Sequence, residues 1–191
     1  MIKNACIAPL ISGLRRELRT TAASLVCVLL FALPAAPLAR AAQISPDTNP
    51  SGTTYTVSAS DDYNDARYYN YGDLEIANGG ILSNTDDIYN YSGATLGIAG
   101  GGTLTNLFRV YIYSGAALNI ATGGTLTNSN SYASGYIWIS GGTLTNAGSL
   151  VNGSGTVINN ESGSTLENTG TLSNSGTINS YATFTNSGTI H

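Results

Sequence analysis

Lysine is almost missing from this chain of 191 residues: Lys3 is the only one, and Lys and Arg together number 7 against 11 Asp and Glu. Cysteine is nearly as scarce. Cys6 and Cys27 both lie in an N-terminal segment that reads as an export signal, so disulfides, zinc-thiolate sites and cysteine nucleophiles are excluded from the exported part. Charged residues of both signs make up only 9%, Pro numbers 5, and no segment after Leu33 carries helical periodicity. The length allows one domain and argues against a two-domain enzyme.

The one long apolar run is short. Residues 22–33, apolar apart from Ser24, number 12 in all, well under the ~20 a helix needs to cross a bilayer. Lys3, Arg15, Arg16 and Arg19 precede the run with only Glu17 opposing, and Ala39-Arg40-Ala41 fits a small-x-small cleavage site. Residues 1–41 therefore read as a signal peptide. A retained anchor is opposed by Pro34 and Pro37, which end the run early. Cutting after Ala41 leaves 150 residues with Arg67 and Arg109 as the only basic side chains against ten acids, a net charge of −8. Nucleic acid is excluded as a partner, because phosphate binding needs several cations on one face. The mature chain carries no transmembrane segment and is expected at the cell surface or outside it, or in the periplasm if no translocator exists.

Gly, Ser, Thr and Asn repeat instead. Leu74, Leu96 and Leu118 recur every 22 residues, as do Ile76, Ile98 and Ile120. SGATLGIAGGGTLTN at 92–106 aligns without gaps on SGAALNIATGGTLTN at 114–128, with YGDLEIANGGILSN at 71–84 as a divergent predecessor. A fourth copy, GYIWISGGTLTN, ends at Asn146, and beyond it Leu166, Leu172, Ile178, Phe184 and Ile190 stand six apart. An apolar-x-Asn signature joins these into one expected register through Asn84, Asn106, Asn128, Asn146, Asn168 and Asn186, with Leu82, Leu104, Leu126, Leu144, Leu166 and Phe184 two residues ahead.

T-L-T-N alternates with period two, and Gly and Asn supply the left-handed corners that end each run. The expected fold is all-β, a single-stranded parallel β-helix of about six coils, each with about three short strands. Six rungs at ~4.8 Å make a rod of roughly 29 Å. Leu and Ile fill the interior in columns, and Asn forms side-chain amide ladders along the stack. Residues 42–60 are assigned to an N-terminal linker or cap and 61–191 to the β-helix repeats.

The runs GGTLTN and SGTVINNESGSTLENTGTLSNSGTI, the long basic signal region and the near-absence of Lys resemble passenger segments of bacterial autotransporters and similar exported β-helix adhesins. The resemblance covers about residues 71–190. It implies a right-handed parallel β-helix displayed outside a Gram-negative cell, serving adhesion or aggregation. No barrel-forming segment follows His191 and the chain stops inside its repeat, which points to a truncated product whose uncapped ends favour self-association. The strict six-residue spacing after Leu166 also suits a left-handed hexapeptide helix, so handedness stays open.

Two groups of side chains are candidates for chemistry. Asp61, Asp62, Asp65, Asp73, Glu75, Asp86 and Asp87 form an acidic cluster, and NTDD at 84–87 resembles part of the pectin-hydrolase pattern. That pattern also needs a Gly-His-Gly and an Arg-x-Lys element, which a chain with His191 as its single histidine does not supply. The 22-residue register instead stacks Asp65, Asp87 and Arg109 in one column, a charge-neutralising arrangement. No metal and no cofactor are expected.

Tyrosine numbers 12, all after the signal segment. Tyr69, Tyr91 and Tyr113 are expected in one column, with Tyr89 and Tyr111 in the next but one. Turned outward, the stripe can stack on sugar rings or on a protein, so these three are the candidate ligand-binding residues, for host or bacterial surface glycans or proteins. Aromatic stacking along the sheet is the purely structural alternative. The expected function is non-enzymatic: a stalk or adhesive surface. The alternatives are a carbohydrate-active β-helix enzyme and a truncated product without independent function.

Overall fold

The computed structural model describes residues 43–44, 47–58, 62–130 and 135–191. The signal segment at 1–41 and the hydroxyl- and tyrosine-rich stretch at 131–134 lie outside the described residues. The chain winds in coils of three short strands. The first coil has β1 (Thr48–Asn49), β2 (Thr54–Val57) and β3 (Asp62–Asn64); the second β4 (Tyr68–Asn70), β5 (Asp73–Ile76) and β6 (Ile81–Asn84). Next come β7 (Asp87–Asn90), β8 (Thr95–Ile98), β9 (Thr103–Asn106), then β10 (Arg109–Tyr113), β11 (Ala117–Ile120), β12 (Thr125–Asn128). The fifth coil holds β13 (Tyr136–Ser140), β14 (Thr143–Asn146) and β15 (Ser149–Asn152), the sixth β16 (Val157–Asn160), β17 (Thr165–Asn168) and β18 (Thr171–Asn174). The last is β19 (Thr177–Ser180), β20 (Thr183–Asn186) and β21 (Thr189–Ile190).

Every third strand pairs in parallel, giving three seven-stranded sheets, one per face, and a parallel β-solenoid of about six turns. The described residues contain no helix. The first coil already takes in Thr48–Asn49 and Thr54–Val57 from the stretch assigned to a linker or cap.

Corners follow from local sequence. Gly79, Gly101 and Gly123 hold φ of 78°, 84° and 83°, a left-handed conformation costly for any residue with a Cβ. They stack, the Gly79 N–H donating to the Gly101 carbonyl at 3.1 Å and Gly101 to Gly123 at 2.9 Å. Inside, alternate strand positions point inward, and Leu82, Leu104, Leu126, Leu150 and Leu172 form one fully buried column. Each such side chain contributes ~1.5–3 kcal/mol through burial against the coils on either side.

The amide ladders are present, but not as one column. Asn64, Asn84, Asn106, Asn128, Asn152 and Asn174 form a single chain on the third face, each Nδ2 donating to the next Oδ1 at 2.7–2.9 Å. Asn146, Asn168 and Asn186 form a separate ladder on the second face. The expected register through Asn128 and Asn146 is therefore wrong: Asn146 pairs with Ile120, and Asn128 with Asn152. The leucine column divides at the same point, since Leu144 pairs with Leu118 and Leu126 with Leu150. The cause is the longer connection between β12 and β13, followed by shorter corners before β14 and β15. The third GGTLTN motif, at 141–146, therefore stands on a different face from the first two.

The six-residue period near the end has a simple origin. Leu166, Leu172, Ile178, Phe184 and Ile190 occupy successive faces, so six residues make one strand with its corner and eighteen make a coil. At this end β19, β20 and β21 have no strand partner on their outer edges among the described residues, and Phe184 and Ile190 are exposed.

Candidate functional site: a comb of aromatic rings beside a buried carboxylate

The first sheet, β1-β4-β7-β10-β13-β16-β19, carries most of the aromatic residues on its outer side. Tyr69, Tyr89, Tyr111 and Trp138 occupy one register position on four consecutive strands. Their ring centroids lie 5.3, 5.0 and 6.0 Å apart, the first two steps with rings within 10° of parallel. Tyr71, Tyr91 and Tyr113 form a second row beside them, at 4.6 and 5.2 Å. Cross-row neighbours such as Tyr89 and Tyr113 lie 6.4 Å apart and nearly parallel.

The expected column of Tyr69, Tyr91 and Tyr113 is thus divided. Tyr91 and Tyr113 share a row with Tyr71, while Tyr69 belongs with Tyr89 and Tyr111. The step from the second coil to the third is 20 residues on this face, not 22. The recurrence of Tyr69-Asn70-Tyr71 as Tyr89-Asn90-Tyr91 carries that step in the sequence. Trp138, whose face the sequence leaves unassigned, points outward and is 38% exposed.

Stacking decides what this surface can offer. Rings packed face to face along the solenoid have their π faces occupied by their neighbours, so edges and hydroxyls turn to solvent. A sugar ring stacks on a free π face. Within the rows none is free, and only end members such as Trp138 and Tyr71, both partly exposed, can receive one. Each stacked pair adds ~0.5–1.5 kcal/mol to the coil-to-coil contact.

Asp87 sits at the margin of the comb, at the start of β7. Its side chain is 2% exposed, and Arg109 Nε lies 2.7 Å from Oδ1. Arg109 Nη2 donates to Oδ2 at 3.2 Å, and the Tyr89 hydroxyl donates to the same oxygen at 2.9 Å. Arg67 Nε is 3.9 Å away on the opposite side. The guanidinium of Arg109 also lies over the Phe108 ring, 4.2 Å from its centroid. Burial first, then the hydrogen bond to Asp87 and its charge, raise the Tyr89 phenol to about 12. Burial likewise raises Tyr91 and Tyr113 above the ordinary phenol value.

The column is Arg67, Asp87 and Arg109; Asp65 is not part of it. β4 opens at Tyr68, which pairs with Ile88, so the residue level with Asp87 is Arg67. Asp65 is exposed in the preceding turn. Asp73 and Glu75 lie on β5, on another face. Among the described residues no three His, Cys, Asp or Glu side chains gather as metal ligands do. A carboxylate held by a guanidinium and a phenol is neutralised where it stands, which suits cross-coil bonding better than proton transfer. No family model matches the chain, and neither a curated protein nor a solved structure is significantly similar to it.

Proposed function

We propose that this chain is a non-enzymatic, exported β-solenoid segment of the autotransporter-passenger kind, acting as a stalk or adhesive surface outside the inner membrane. One observation carries the reading. The polar and aromatic groups that the fold gathers into rows hold coil to coil: inward Asn in ladders, Asp87 in its contacts with Arg109 and Tyr89, and ring faces against ring faces. Coils stacked in this way offer a long, regular exterior. The basic N-terminal region with its 12-residue apolar run supports export.

The reading is tested by expressing the full chain in a Gram-negative host and fractionating the cells. The expected product starts at Ala42 and lies beyond the inner membrane; an uncleaved product in the cytosol would end the proposal. The adhesive part is tested by Tyr71→Ser with Trp138→Ser, which removes the ring faces at the comb's ends. Loss of attachment to glycan- or protein-coated surfaces is expected from this folded variant, and full attachment would reduce the function to that of a stalk.

A further inference from the structure

The third face, carried by β3, β6, β9, β12, β15, β18 and β21, differs from the other two in having, from β6 to β21, no charge on any outward strand position. Its two outward columns read Ile81, Thr103, Thr125, Ser149, Thr171, Thr189 and Ser83, Thr105, Thr127, Val151, Ser173. Apart from Asp62 on β3, level with Leu82 at the first-coil end, the acids on strands stand elsewhere: Asp73, Glu75 and Glu167 on the second face, Asp87 with its arginines on the first. Among the described residues the hydroxyls of Thr103, Thr105, Thr125, Thr127 and Thr171 have no hydrogen-bond partner, and these half-buried side chains stand at outward strand positions.

Three physical features act together on this array. Backbone pairing in uninterrupted register sets the step between coils at about 4.8 Å, and alternate residues along a strand lie about 6.6 Å apart. Threonine is β-branched and stiff at χ1, so each methyl and hydroxyl is held in a defined direction. A parallel sheet locked by an internal amide ladder, here the one from Asn64 to Asn174, is the kind that stays untwisted over many strands. The result is a rigid two-dimensional grid of neutral hydroxyls and methyls.

A charged partner gains nothing from such a face, and a partner without a repeat of its own can meet only part of it. The matching partner is neutral, hydrogen-bonding in every direction and periodic on the same scale. Water in its crystalline form meets all three conditions, since the oxygen repeats of ice lie close to both repeats of the grid. We propose that the third face binds ice, through water molecules that the Thr and Ser hydroxyls hold at lattice spacing and the methyls confine between them. Many weak contacts made at once give attachment that no single hydroxyl provides. The proposal does not rest on the adhesive role of the aromatic face.

The test measures thermal hysteresis and the shape of a growing ice crystal with the full chain in solution. A gap between melting and freezing with faceted crystals is expected. Thr125→Lys with Thr127→Lys should abolish it, whereas Asn119→Lys on the second face should leave it unchanged, all three proteins showing the same β-sheet circular dichroism. No hysteresis and no shaping by the folded parent would overturn the proposal. So would hysteresis that survives the two lysines, or binding to insoluble polysaccharide or pairing of two copies without any effect on ice.

Discussion

Arg109 Nε lies 2.7 Å from Asp87 Oδ1, joining two consecutive coils of the first face, and the aspartate side chain it holds is 2% exposed. A carboxylate taken so far from water needs its cation and its hydrogen-bond donors together. Arg67, 65% exposed and 3.9 Å away, contributes far less.

The first prediction concerns this pair. Arg109→Met should lower stability by about 1–3 kcal/mol, because it leaves a buried charge with the Tyr89 hydroxyl as its hydrogen-bond donor and the exposed Arg67, 3.9 Å away, as its cation. Arg67→Ala should change it by under about 0.5 kcal/mol. Urea midpoints of the two variants should rank in that order, and the double variant Asp87→Ala with Arg109→Met should cost less than the sum of the single changes.

The ladder makes a second prediction. Asn106 is fully buried, accepts from Asn84 and donates to Asn128 at 2.8 Å and to the Tyr136 carbonyl at 3.2 Å. Asn106→Ala should cost about 1–3 kcal/mol, leaving buried groups unpaired on both sides. Asn119, outward and exposed on β11, should tolerate the same change within about 0.5 kcal/mol. Equal effects at the two positions would contradict the inward ladder.

The corrected register gives a third. Thr127 and Val151 are direct partners on adjacent strands, whereas Thr145 stands on another face. With Cys6 and Cys27 changed to Ser, a Thr127→Cys, Val151→Cys variant should form a disulfide on mild oxidation, and a Thr127→Cys, Thr145→Cys variant should not. Gel mobility with and without reductant reads the difference directly.

A fourth prediction follows from the phenols. Tyr89 titrates at about 12 in the folded chain, above the ordinary value near 10, with burial as the first cause and Asp87 as the second. Because the folded value is raised, the stability carried by the neutral phenol is intact below about pH 10 and is lost as pH rises through 12. Phenolate absorbance should show late ionisation in the native protein, and Tyr89→Phe should reduce its amplitude by one phenol, the raised phenols of Tyr91 and Tyr113 remaining. The same substitution should make the alkaline fall in stability shallower.

Strands, corners and the sidedness of each strand are all legible in the residues themselves. TLTN alternates, so Leu104 and Asn106 must face one way and Thr103 and Thr105 the other, and the glycine two residues ahead of each such strand, Gly101 for this one, can adopt a left-handed backbone at little cost. A stacked solenoid with buried leucines and asparagines is the consequence, and the structure has it. What the sequence does not reveal alone is which copy lies on which. GGTLTN at 101–106 and GGTLTN at 141–146 are identical, yet they stand on different faces, because the connection after Asn128 lengthens one coil and shorter corners then shift the next strands by a face. The same kind of change in step moved Tyr69 out of the column of Tyr91 and put Arg67, not Asp65, beside Asp87. Local chemistry determines the direction of a side chain within its strand. Its neighbours across the stack are set by the sum of all corner lengths and backbone pairings, a non-local quantity that only the folded chain decides.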